Sequence, residues 1–266
     1  MLNLLEPSVE RANSARWCDH FVANAGRQLG IPWDAGCGLS AAEQAVLIPS
    51  LQDFQLGESS EGKHGLARAA AHGRRVGDPQ YAEAVRMFFA EENRHATYLA
   101  RYLALAGVPT IGHSWTDFIF RRVRRLFGLE VLLTVLLTAE LIGEVFYRAV
   151  RAASACPVLR GICSQLLRDE RQHVRFHVER FALMHAKRSR LMKRVRNGLW
   201  RTFFAGTLLA VWLKHRRAFR LGGYPFRRYW REAWKGFRSA ARGVQPPNPV
   251  RNGSAGSRIS VASAVT

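Results

Sequence analysis

At 266 residues, 48% of them hydrophobic, the chain is long enough to bury one substantial core and shows no division into two equal domains. Its net charge of +20 is unevenly placed: residues 186–266 hold 19 Lys and Arg against one acid, Glu232, while residues 1–185 come to +2. The four cysteines (Cys18, Cys37, Cys156, Cys163) form no C-x-x-C, which argues against a disulfide framework, and no uncharged apolar run reaches the ~20 residues of a spanning helix.

Taken in chain order, residues 1–39 mix short helical patches with Gly30, Pro32, Gly36 and Gly38 and read as an N-terminal arm laid across a bundle. A first long helix is expected from Ser40 to Arg74, opened by a Ser40/Glu43 capping box and kinked or restarted at Pro49-Ser50. The second starts with Asp78 as N-cap and Pro79 at the first helical position, and stops at Gly107-Val-Pro109. After a connector with the basic cluster Arg121 to Arg125, a third helix spans Gly128 to Ser154, and Pro157 opens a fourth that runs to Lys187. Four long helices with two tight hairpins predict an all-α bundle over residues 40–187. Residues 188–242 form a basic, aromatic helical extension, and residues 243–266, rich in Pro, Gly, Ser and Asn, read as a disordered tail.

The chemistry lies in two repeated motifs. Glu92-Asn-Arg-His95 on the second helix and Glu170-Arg-Gln-His173 on the fourth each place Glu and His at i and i+3, on one helical face, where both can reach one ion. Each pair falls on an apolar stripe, with Val85, Phe88, Leu99 and Leu103 in one case and Leu159, Leu166, His177 and Phe181 in the other, so the polar groups point into the core. Burying a carboxylate and an imidazole uncompensated costs several kcal/mol, and a divalent cation is an economical partner.

The first and third helices each offer one carboxylate more than a two-metal site needs: Glu58 and Glu61 follow Leu47, Leu51 and Phe54, and Glu140 and Glu144 follow Leu133 and Leu136. Antiparallel helices bring residues level when they are equally far from the turn. From Val76, Glu61 lies 15 residues before and Glu92 lies 16 after; from Cys156, Glu140 lies 16 before and Glu170 lies 14 after. The count favours Glu61 and Glu140, with Glu58 and Glu144 as the alternative ligands or supporting groups. His177, one turn past His173, is either a supporting group or a core histidine satisfied by a neighbour, and Tyr98 and Tyr147 read as packing.

Glu, Glu-x-x-His, Glu, Glu-x-x-His on four successive helices resembles the ferritin-like di-iron carboxylate superfamily. The resemblance implies two iron ions, or iron with manganese, bridged by Glu92 and Glu170, each bound by one of His95 and His173 and completed by a Glu from a remaining helix. It further implies dioxygen as co-substrate and oxidation of a small organic substrate, as in hydroxylases, N-oxygenases and desaturases, with electrons from a donor protein. An iron-handling ferroxidase is the alternative within the superfamily. Outside it the alternative is a metal-free, membrane-associated helical protein, and the cluster itself could be a metal-free set of buried salt bridges among Glu and Arg68, Arg94 and Arg171.

In the extension, Trp200, Phe203, Phe204 and Trp212 lie between basic ends, and Arg227 to Arg238 repeats the theme. Three readings follow: an interfacial helix at an anionic membrane, a dock for an acidic carrier protein or reductase, or helices packed on the bundle with outward arginines. Nucleic acid ranks last, since no motif for it is present. The N-terminus, without a basic segment followed by an apolar one, and the unpaired cysteines fit a reduced cytoplasmic protein, peripheral at the inner membrane face if the extension binds lipid; a homodimer is compatible with the pattern.

Overall fold

The structure, a computed structural model, describes residues 14–59, 62–115, 122 and 128–244. Among them all regular structure is helical: α1 (Ala15–Ala25), a 3-10 turn (Trp33–Ala35), α2 (Ala41–Glu58), α3 (Lys63–Val76), α4 (Tyr81–Leu105), α5 (Leu129–Ala153), α6 (Pro157–His185), α7 (Arg190–Leu221) and α8 (Phe226–Gly243). Most of the connector's basic cluster and the tail beyond Val244 lie outside the described residues.

Two boundaries differ from those the sequence predicts, each for a local reason. The capping box at Ser40 and Glu43 forms, and α2 runs unbroken through Pro49, but in place of the expected single helix to Arg74, α2 ends at Glu58 and α3 begins at Lys63. Gly57, Ser59 and Gly62 are poor helix formers. Gly62 sits at φ +64°, and a Cβ there would lie 2.5 Å from the Phe89 ring, so only glycine fits. Asp78, expected to cap the second helix, turns its carboxylate inward instead. It accepts from Ser14 Oγ at 2.8 Å and pairs with Arg180 at 2.5 Å, both groups nearly buried, while α4 begins at Tyr81. The buried guanidinium, stacked 3.6 Å from the Tyr81 ring centre, outcompetes a surface cap.

Helix α5 packs along α6, α2 along α4, and α1 and α3 lie on α4, with α3 also meeting α5. Two apolar clusters result. One gathers Leu47, Leu51, Leu99, Leu103, Leu137, Leu141, Phe146 and Leu166; the other gathers Phe21, Ala69, Val85, Phe88, Phe89, Leu136 and Phe176. On α4, Glu92 and His95 lie between Phe89 of the second cluster and Leu99 of the first, and on α6, Glu170 and His173 lie between Leu167 of the first and Phe176 of the second.

The extension is helical and packed. Helix α7 lies on α5 and α2, and α8 lies on α5, α6 and α7. Trp200, Phe204, Trp212, Tyr229 and Phe237 are buried in the first cluster, so these aromatic residues follow the reading in which the helices of the extension pack on the bundle. Gly222, just past α7, approaches the backbone of Ala149 so closely that any side chain would overlap its carbonyl oxygen. No described helix is long and apolar enough to cross a membrane. All four cysteines are free.

Candidate metal centre

Four helices bring ligand-type atoms to one place. Glu58 ends α2, Glu92 and His95 lie on α4, Glu140 on α5, and Glu170 and His173 on α6. They fall into two groups, Glu58/Glu92/His95/Glu170 and Glu92/Glu140/Glu170/His173, and within each group one ligand atom per residue lies within 4.8 Å of the others. Glu92 and Glu170 belong to both. His95 Nδ1 stands 3.6 Å from Glu92 and 3.7 Å from Glu170. His173 Nδ1 stands 3.0 Å from Glu92, 3.5 Å from Glu170 and 3.6 Å from Glu140.

A second layer fixes these histidines, and it is crossed between helices. His95 of α4 meets Asp169 of α6 through Nε2 at 3.1 Å, and His173 of α6 meets Glu91 of α4 through Nε2 at 3.2 Å. An ionised carboxylate can only accept, so Nε2 carries a proton in both rings, and each imidazole, once its other nitrogen is deprotonated, turns the Nδ1 lone pair toward the cluster. The side-chain amide of Asn24, on α1, donates to both second-layer acids, to Asp169 at 2.9 Å and to Glu91. Gln165 donates to Asp169 at 2.7 Å, Arg94 pairs with Glu91, and Arg168 Nε lies 3.7 Å from Asp169.

Burial and mutual repulsion perturb the inner carboxylates. Glu92 is pushed up to about 8 by burial and by Glu140; Glu170 is raised by the same two causes, and Glu58 by burial and by Glu92. His173 is raised, the surrounding carboxylates led by Glu92 overcoming a burial that alone would lower it. Asp169 and Glu91 are lowered despite their burial, because each accepts from a histidine. Four inner carboxylates thus crowd two imidazoles, while the outer acids already have Arg94 and Arg168.

All but one of the residues singled out from the sequence as ligand candidates have a place. Glu92, His95, Glu140, Glu170 and His173 come together. Glu58 comes with them, and Glu61 lies outside the described residues. The count from the turn assumed one helix from Ser40 to Arg74, whereas α2 ends at Glu58 and α3 begins at Lys63. Glu144 points elsewhere, to Arg148 and to Arg171 Nε at 3.8 Å. His177 is buried against Phe88, 3.8 Å from Glu140, and held neutral, with burial and the nearby His173 driving its pKa down to about 3. Tyr147 does more than pack: its hydroxyl donates to Glu58. Tyr98 donates to Gln28 at 2.9 Å, away from the cluster. The second layer was missed. Its signal is the acid preceding each motif glutamate, Glu91-Glu92 and Asp169-Glu170, whereas nothing marks Asn24 in an arm otherwise without a motif.

No family model matches this chain, and no curated protein or solved structure matches it either.

The donor set fits a pair of divalent cations. Glu92 Oε1, Glu170 Oε2 and the Nδ1 atoms of His95 and His173 are buried, face the cluster and make no hydrogen bond. Polar atoms so placed cost about 1–3 kcal/mol each unless something else engages them. Four carboxylates would balance the charge of two divalent ions.

Proposed function

We propose that α2, α4, α5 and α6 form a ferritin-like four-helix bundle holding two iron ions, or iron with manganese, and that the protein is an oxygen-dependent oxidoreductase acting on a small organic substrate. The observation that carries this reading is the pair of four-residue ligand groups that share Glu92 and Glu170. When bound, the ions supply Lewis acidity and the electrons that dioxygen activation requires, replenished by an external reductant.

This chain's own residues prepare and insulate the centre. Glu92 and Glu170 span both positions, Glu58 with His95 closes one end, and Glu140 with His173 closes the other. Asp169 and Glu91 hold each imidazole as the Nδ1-ligating tautomer and raise its basicity; Asn24 locks those two acids together. Phe88, edge-on to His173 at 4.8 Å, and the stacked Phe54–Phe146 pair beside Tyr147 keep water from the ligands. The Tyr147 hydroxyl, its pKa raised by burial and by Glu58, keeps its proton and holds one oxygen of Glu58 in place.

The test is metal content by mass spectrometry on anaerobically purified protein, beside a Glu92→Ala/Glu170→Ala variant checked for fold by circular dichroism. One iron or manganese ion per ligand group is expected, lost in the variant, with reductant-dependent oxygen uptake in the wild type. Protein that takes up neither metal after reconstitution refutes the reading. Ferrous-iron-driven oxygen uptake that accumulates ferric oxide would replace the oxygenase with iron handling.

A further inference from the structure

Helix α7 has two apolar faces, and only one is used by the core. Trp200, Phe204, Leu208, Val211, Trp212 and Phe219 face inward. Opposite them, Leu191, Val195, Leu199, Leu209 and Leu213 stand out, with 71%, 51%, 69%, 45% and 65% of their surfaces exposed. At 100° per residue these five share one sector of the helix, and between Leu199 and Leu209 the sector is continued by exposed, uncharged Thr202 and Gly206. The result is a straight ridge about 33 Å long at 1.5 Å per residue, without a charge along its crest.

Charge frames this ridge on one side and at one end. Arg190, Arg194 and Arg201 are exposed along an edge of the sector, and Arg216, Arg217 and Arg220 are exposed beyond Leu213. Helix α7 contains no acid, and α8 beside it exposes Arg227, Arg228, Arg231, Lys235 and Arg238 with Glu232 as its one carboxylate. Leucines at the crest with guanidinium groups at the margin match the depth profile of a bilayer surface, where apolar groups reach the acyl boundary and basic groups stay among phosphates. A second copy of the chain is a poor occupant, because pairing two such faces would press cation against cation.

We infer that the outward face of α7 seats the protein on a membrane surface carrying anionic phospholipid, lying in the interface plane without crossing it. The occupant is chosen by the leucine crest and the arginine margin together, whereas the aromatic residues of the same helix hold it to the bundle.

The experiment is co-sedimentation of the full chain with phosphatidylcholine vesicles, with and without about a third of phosphatidylglycerol. Wild type is compared with Leu199→Glu/Leu213→Glu and with Arg190→Gln/Arg194→Gln/Arg201→Gln. These side chains are exposed, so both variants should keep the wild-type melting temperature, and a single Leu199→Ser variant serves if they do not. Binding to the anionic vesicles is expected, at least about tenfold weaker in either multiple variant and weak on neutral vesicles. The inference is overturned by no binding to anionic vesicles, by binding that ignores the leucine changes and vanishes in moderate salt, or by a dimer on light scattering that the leucine changes dissociate without any vesicle binding. Metal-loaded and chelator-treated protein should bind alike, which separates this result from the fate of the metal centre.

Discussion

Asp169→Asn and Glu91→Gln make a matched pair of perturbations, because the two acids serve opposite ends of one centre. Asp169 accepts from His95 of the Glu58 group, and Glu91 accepts from His173 of the Glu140 group. The amide side chain keeps the size but loses the charge, and its nitrogen, if turned toward the ring, reverses the hydrogen bond and forces the proton onto Nδ1, where it blocks ligation. Loss of such a partner weakens a metal by about 10–100-fold, or about 1.4–2.8 kcal/mol at 1.4 kcal/mol per factor of ten. The assay is a competitive chelator titration of the manganese-loaded protein followed by electron paramagnetic resonance, which counts ions and reports their coupling. Each variant should release one ion about 10–100-fold more easily and keep the other near the wild-type affinity, leaving an uncoupled singly loaded form over a wide chelator range. Asn24→Leu, which removes the donor common to both acids, should weaken both ions to a smaller degree. Wild-type affinity in both acid variants, or equal loss of both ions in each, would refute the crossed arrangement.

Three further outcomes follow from the same contacts. The metal-free protein should lose thermal stability between about pH 5 and 8. Glu92 is raised from 4.5 to about 8 and His173 is raised from 6.5, so the folded state holds protons that the unfolded chain releases, and their contribution, full below the unfolded values, is lost as pH rises. The loaded protein should show the opposite slope, since ligands must be deprotonated, and a metal-free melting curve that is flat or rising over this range would contradict the burial of protonated carboxyls. Asp78→Ala leaves the Arg180 guanidinium without its carboxylate in the core and should cost about 3–5 kcal/mol in urea denaturation, against about 1–3 kcal/mol for Ser14→Ala, which removes the hydrogen bond donated to Asp78 and the one accepted from Arg180 but leaves the ion pair. Gly222→Ala, at φ −78° where alanine is conformationally acceptable, should still cost about 1–3 kcal/mol through overlap with Ala149, with faster proteolysis near residues 221–225.

What the sequence made legible was whatever obeys a local period. The i, i+3 spacing located both Glu-x-x-His pairs, the apolar stripes turned them inward, and the α5–α6 hairpin, tight and unbroken, brought Glu140 level with Glu170. The α2 side was less legible because register there depends on a backbone break, and Gly62 reveals its left-handed φ only against the Phe89 ring. Asp78 shows the same limit: a sound capping signal gave way to an arginine 102 residues away, a contact no local pattern encodes. The aromatic residues of α7 and α8 were readable as apolar but not as inward or outward, because both faces of α7 carry large apolar groups. The arm's share in the centre was the least legible, since a single amide on a short helix has no sequence signature at all.

The two ends of the cluster share their acid–histidine pairing but differ in their outer carboxylate, and for the two-ion centre proposed above that difference predicts an order of metal release. Glu140 lies in mid-α5, buried, with His177 beside it, so its carboxylate is confined by a continuous helix. Glu58 is the last residue of α2, partly exposed, and the chain leaves the helix directly after it, with Ser59 already extended. The Tyr147 hydroxyl is the hydrogen bond that restrains it. A carboxylate at a frayed helix end can swing away from an ion at little cost, whereas one in mid-helix can do so only by disturbing its turn. In the wild type the ion between Glu58 and His95 should therefore leave first under chelation, and Tyr147→Phe should hasten that step without changing the second. Simultaneous loss of both ions with a single affinity would mean that the shared carboxylates Glu92 and Glu170, rather than the outer ones, control release.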